Sequence, residues 1–240
     1  MDVRFALALG VACIGCFSKP PAPSRGDANA TADAQGDGDV PPDVPPGVWL
    51  CQIDDDFEDT GSAPCGTWGQ PSAEPPRRAS GVLQTTPTNL NDSSCTSMPL
   101  TPSGTVSIEL AATGFDDDGN YAFFDLLWPA NQVTLNVYRN NGNDEVNVAC
   151  PSSTTTVTAP YSSIDHRYFR FRMTAVSPSD VAVAVEPSPD GSTYTAALLN
   201  CVVPGVAALP VTIRVGTGVD VADAVPPITW WDRLHFDCTP

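Results

Sequence analysis

Eight stretches of strand length, each ended by turn chemistry, constrain this chain more than any other feature. They are "TVSIELAA" (105–112), "YAFFDLLW" (121–128), "QVTLNVYR" (132–139), "DEVNVA" (144–149), "HRYFRFRMTA" (166–175), "DVAVAVE" (180–186), "STYTAALL" (192–199) and "VTIRVGT" (211–217). Each alternates or runs apolar over a length too short for a helix. In "RYFRFRM", Tyr168, Arg170 and Arg172 take one face and Phe169, Phe171 and Met173 the other. Asn-Gly in "RNNGND" and Asp-Gly in "FDDDGN" and "PSPDGS" supply the positive φ angles of tight turns. Regularly spaced strands without a credible helix predict an all-β fold, an antiparallel two-sheet sandwich or jelly roll over 48–240.

The cysteines bear on where that domain lives. Six follow position 48: Cys51, Cys65, Cys95, Cys150, Cys201 and Cys238. None forms a C-x-x-C pair and the two histidines, His166 and His235, are far apart, so disulfides are favoured over a zinc site. Six cysteines allow fifteen connectivities, and spacing does not choose among them. In sandwiches whose terminal strands pair, Cys51 and Cys238 staple the ends together; Cys65 with Cys95 and Cys150 with Cys201 complete the expected set.

The N-terminal region fits export. Phe5 to Gly15 has the length of a signal-peptide apolar region and falls short of the roughly 20 residues that span a bilayer. "CIGC" resembles the bacterial lipobox, which makes Cys16 the candidate lipidated residue; "GVAC" serves Cys13 in the same way. Residues 1–15 therefore read as a signal peptide. Residues 16–47, built from Pro, Ala, Gly and Asp, cannot bury enough apolar surface to offset ordering and read as a disordered tether. Proline pairs at 20–21, 41–42 and 45–46 bias it towards extended polyproline geometry. The expected product is an exported lipoprotein at the outer membrane or cell surface, touching membrane through its lipid alone. With 11 Lys+Arg against 28 Asp+Glu and a formal charge of -17, nucleic acid is excluded as a partner.

The segments "DDDFEDTGSAPCGTW", "GVLQTT", "HRYFRFRM", "VAVAVEPSPDGSTYT" and "WWDRLHFDC" together resemble the concanavalin A-like, laminin G-like jelly rolls of bacterial surface proteins. The resemblance covers most of 49–238 and implies carbohydrate-binding or adhesive modules, with glycosidases among the relatives. It also implies a structural calcium between the opening Phe-Glu segment and an aspartate of the closing strand, here Glu58 and Asp232. Calcium's preference for carboxylate and carbonyl oxygens agrees with that choice.

Catalytic motifs are sparse. No Glu-x-Asp-x-x-Glu pattern occurs, Glu109 and Asp125 are alone on their strands, and no serine sits in a G-x-S-x-G elbow. The expectation is a non-catalytic surface module with glycan as its ligand. A protein-adhesion or structural role, with a surface protein as partner, and a hydrolase of the same fold stand as alternatives. Sugar stacking needs exposed flat rings, and Trp128, Trp230, Trp231, Tyr121 and Tyr138 are the candidates. Trp230 and Trp231 are strand neighbours, so one faces the core and the other solvent.

Overall fold

The computed structural model describes residues 49–59, 63–88, 91–151, 156–220 and 225–238. The signal-peptide and tether segments, with Cys13 and Cys16, lie outside the described residues. Fifteen strands are described in chain order: β1 (Gln52–Asp55), β2 (Gly69–Pro71), β3 (Arg77–Ala79), β4 (Val82–Thr85), β5 (Ser93–Ser97), β6 (Gly104–Gly114), β7 (Asn120–Leu127), β8 (Gln132–Asn140), β9 (Asn143–Ala149), β10 (Val157–Pro160), β11 (Tyr168–Ala175), β12 (Val181–Ser188), β13 (Leu199–Val203), β14 (Thr212–Val219) and β15 (Ile228–Asp237). No helix occurs among the described residues.

The strands form two antiparallel sheets packed as a sandwich. One runs β13-β12-β11-β6-β15-β4-β3, with β1 as an eighth strand on β15; the other runs β10-β9-β8-β7-β14-β5-β2. Alternation decides which side chains lie between them. Val106, Ile108 and Leu110 of β6, Phe169, Phe171 and Met173 of β11, and Ala122, Phe124 and Leu126 of β7 form the core, with the residues between them on the outer faces. Phe124 and Phe171 meet across the sheets with ring centroids 4.8 Å apart.

Strand β15 closes the fold. One of its edges pairs with β6, while the other pairs first with β4 and then with β1, Gln52 opposite Asp237. Its register on β6 shifts between Asp232 and His235, where Arg233 takes a φ of 51°. Such a bulge lets one strand serve two partners along a single edge. Disulfides join Cys51 to Cys238, Cys65 to Cys95 and Cys150 to Cys201, with Cα separations of 5.0, 5.5 and 6.5 Å.

One strand expectation fails. Within "STYTAALL" only Leu199 is in a strand, the first residue of β13, and 192–198 form bends and irregular chain. Asp190 is the reason: its Oδ1 accepts from the backbone N–H of Ser192 at 2.9 Å and of Thr193 at 2.8 Å, folding the chain before a ladder can form.

Candidate functional site

On the outer face of the seven-stranded sheet, the alternation of β7 places Tyr121, Phe123 and Asp125 opposite the core positions. Register extends them into rows across the strands. Glu145, Tyr138 and Tyr121 stand side by side on β9, β8 and β7, as do Asn147, Asn136 and Phe123. In a third row Thr134, Asp125 and Arg214 occupy β8, β7 and β14, with Thr96 of β5 beyond. Amides, aromatic rings and charged groups thus share one face of a rigid sheet.

Glycines on β14 let the rings lie across it. A Cβ at Gly216 would fall 2.7 Å from Phe123 Cζ and 2.4 Å from the Ser93 carbonyl oxygen. One at Gly218 would fall 2.3 Å from Tyr121 Oη. Arg214 covers Phe123 from outside, its guanidinium 4.6 Å from the ring centroid.

That guanidinium is shared by two carboxylates. Its Nε and Nη2 donate to Asp125 Oδ2 at 3.1 and 2.7 Å, and its Nη1 lies 3.6 Å from Asp92 Oδ2. Tyr121 Oη donates to Asp92 Oδ1 at 3.1 Å. The two carboxylates differ in environment: the Asp125 side chain is 1% exposed and that of Asp92 31%. Burial pushes the Asp125 carboxyl up to about 6, with Arg214 opposing and Asp92 adding to the rise. Asp125 Oδ1 has no hydrogen-bond partner among the described residues. Asp220, at the end of β14, is raised by burial and by Asp92. Further along the face, Tyr138 Oη donates to Glu145 Oε2 at 2.5 Å, and burial with Glu145 pushes this phenol up to about 12. An open cleft of about 460 Å³, lined by Arg139, Asp144, Glu145, Pro160 and Tyr161 among others, continues from Glu145 around the end of the β8–β9 hairpin.

The structure brings Tyr121 and Tyr138 onto this face and removes two of the expected stacking residues. Trp128 is 5% exposed and Trp231 0%; both rings belong to the core, so neither can meet a sugar. Trp230 is half-buried on the outer face of the other sheet, beside Gly114. Asp125 is alone only along its own strand, since Arg214 is its register partner. Asp92 and Arg214 were missed by reading the sequence; the one signal for the latter is a single charge inside the apolar run "VTIRVGTGV".

Glu58 and Asp232 come within electrostatic range, since Glu58 and Glu109 both help burial raise the Asp232 carboxyl. Arg233 Nε stands 3.5 Å from Glu109 Oε2 and 3.9 Å from Asp232 Oδ2. Among the described residues no three His, Cys, Asp or Glu side chains are grouped to hold a metal ion.

No protein-family model matches the chain, and no curated protein matches its sequence. Solved structures do match the fold. One is described with endo-acting O-glycanases that members of the human gut microbiota express to initiate mucin breakdown (TM-score 0.56, 10% identity, 78% of this chain and 99% of that one). Another is the Crh5 transglycosylase in complex with NAG (0.58, 12%, 81% and 86%). A third is the kappa-carrageenase of Pseudoalteromonas carrageenovora with a kappa-carrageenan oligotetrasaccharide (0.50, 11%, 83% and 98%). These likenesses show the fold, a jelly-roll β-sandwich. The expectation of a non-catalytic module is corrected by these three neighbours, which are named for a glycanase, a transglycosylase and a carrageenase.

Proposed function

We propose that this domain is an enzyme that cleaves or transfers glycosidic bonds in a polysaccharide laid across the strands of the seven-stranded sheet. The observation that carries the reading is the pair of carboxylates on Arg214. Glycosidic chemistry needs one carboxyl that holds a proton at working pH and one that stays ionised, about 5 to 10 Å apart. Asp125, pushed up to about 6, is the proton carrier. Asp92, more exposed and held by Tyr121 and Arg214, is the partner carboxylate. Arg214, one-third exposed over Phe123, is the cover that must swing aside for Asp125 to meet a glycosidic oxygen. Tyr121 and Tyr138 offer partly exposed ring surface to sugars, and the Asn136 and Asn147 amides suit hydroxyl groups.

The test is release of new reducing ends, or formation of transfer products, from a panel of polysaccharides. Asp92→Asn and Asp125→Asn should each lower turnover by at least about 100-fold, the size of a lost acid or base. Turnover should also fall as pH rises through about 6, where Asp125 loses its proton. A wild-type protein inert on every polysaccharide, or undiminished turnover in both variants, would overturn the reading.

The enzyme works at the bacterial surface, exported by residues 1–15 and held by a lipid on Cys16. Cys16→Ala should move the protein from the membrane to the soluble fraction. Retention of that variant, with release of Cys13→Ala instead, would reassign the anchor.

A further inference from the structure

The opposite outer face, on the eight-stranded sheet, carries four of the chain's 11 basic residues: Arg167, Arg170, Arg172 and Arg233. Their partners lie beneath them. Arg167 Nε donates to Glu109 Oε1 at 2.6 Å, and Arg233 Nε lies 3.5 Å from Glu109 Oε2. Arg170 Nε donates to Glu186 Oε2 at 2.8 Å, and Arg172 Nη2 to Glu186 Oε1 at 2.9 Å. Glu109 and Glu186 side chains are 1% and 9% exposed, whereas those of Arg167, Arg172 and Arg233 are 50%, 55% and 65% exposed. Four guanidinium groups thus lie over two buried carboxylates, and Asp232, 20% exposed and 3.9 Å from Arg233 Nε, is the further carboxylate beside them, so solvent meets mainly positive charge. The Arg170 guanidinium is further fixed 3.7 Å from the Tyr194 ring centroid, and that of Arg167 5.7 Å from the Tyr168 ring centroid.

From this layering we infer a second ligand site, a face that holds an anionic polysaccharide. A guanidinium fixed by one carboxylate keeps donors for a sulfate ester or a uronate carboxylate and loses little freedom in binding it. Tyr168, Tyr194 and Trp230, each half-buried on this side, offer apolar surface to the sugar rings between the charges. A net charge of -17 repels polyanions at long range, but the repulsion is screened within about 8 to 10 Å at physiological salt, which leaves the local arginines in control at contact. The site does not depend on the chemistry assigned to the other sheet.

The experiment is affinity electrophoresis of the intact protein in gels containing dextran sulfate, polygalacturonate or neutral dextran. Wild type should be retarded by the sulfated polymer, the carboxylated polymer or both, and by neutral dextran little. Arg172→Gln with Arg233→Gln should weaken that retardation at least about tenfold, because the two most exposed cations are gone while Arg170 still pairs Glu186 and Arg167 still pairs Glu109. Raising salt from about 50 to 500 mM should have the same effect on wild type, which keeps the test independent of how the variant folds. Asp92→Asn should leave retardation unchanged whatever it does to turnover. Equal retardation by neutral dextran, no retardation by either polyanion, or a double variant that binds like wild type would overturn the inference, as would binding only to anionic lipid vesicles.

Discussion

Asp125 is ionised only against resistance, and this has a consequence for stability as well as chemistry. Its folded carboxyl titrates near 6, against an ordinary 3.8, because burial disfavours the charge more than Arg214 favours it. A proton is therefore held more tightly in the folded than in the unfolded chain. The stability this contributes is fully present below about 4 and is lost as pH rises through about 6. Asp220 and Asp232 are raised in the same direction, so the useful quantity is the difference between variant and wild type. Asp125→Asn carries no titrating group, and its melting temperature relative to wild type should rise between pH 4 and pH 7. Melting curves at four pH values across that window check this; a constant difference would mean that Asp125 titrates like an exposed carboxyl.

At the scale of elements, the site exists because β14 yields space to β7. Gly218→Ala would drive a methyl group into the Tyr121 ring and within 2.4 Å of Asp92 Oδ1, breaking the contact between them. The expected cost is that of overpacking a closed site, about 1 to 3 kcal/mol, read as a lower urea midpoint. An unchanged midpoint would show that Tyr121 moves aside freely. The sequence revealed β7 and β14 as strands, since alternation is a local property of the side chains. It did not reveal the site, because Asp125 meets Arg214 across 89 positions and Tyr121 meets Asp92 across 29. Those pairings are set by sheet order, which local periodicity does not encode. The same limit explains "STYTAALL", whose apolar run looked like a full strand, although the turn capped by Asp190 precedes it and only Leu199 joins a strand. Trp128 and Trp231 were ambiguous for a related reason: large rings serve cores more often than ligands, and only the packing of the two sheets separates the cases.

For the whole molecule, the decisive contact joins the two ends of the domain. β1 has one ladder, four residues long, and that ladder is to β15. Cys51 and Cys238 close a separation of 187 residues at its end, where the Cys238 N–H also donates to the Cys51 carbonyl at 3.1 Å. In the chain-entropy picture a crosslink stabilises by restricting the unfolded chain, by about 5 kcal/mol for a loop of this length and about 4 for the 30-residue separation of Cys65 and Cys95. Length alone therefore ranks the terminal bridge first. Packing argues the other way, since Cys65 and Cys95 are buried in the core and their replacement also opens space there. The two effects separate in denaturant: Cys51→Ala with Cys238→Ala should raise the urea m-value, because the freed unfolded chain exposes more surface, and lower stability by several kcal/mol. Cys65→Ala with Cys95→Ala should change the m-value less while losing comparable stability. If the terminal pair altered neither quantity, β1 and β15 would be held by their ladder, by Ile53 in the core and by the bonds of Arg78 and Trp68 to Asp55, and the ends of this sandwich would need no covalent closure.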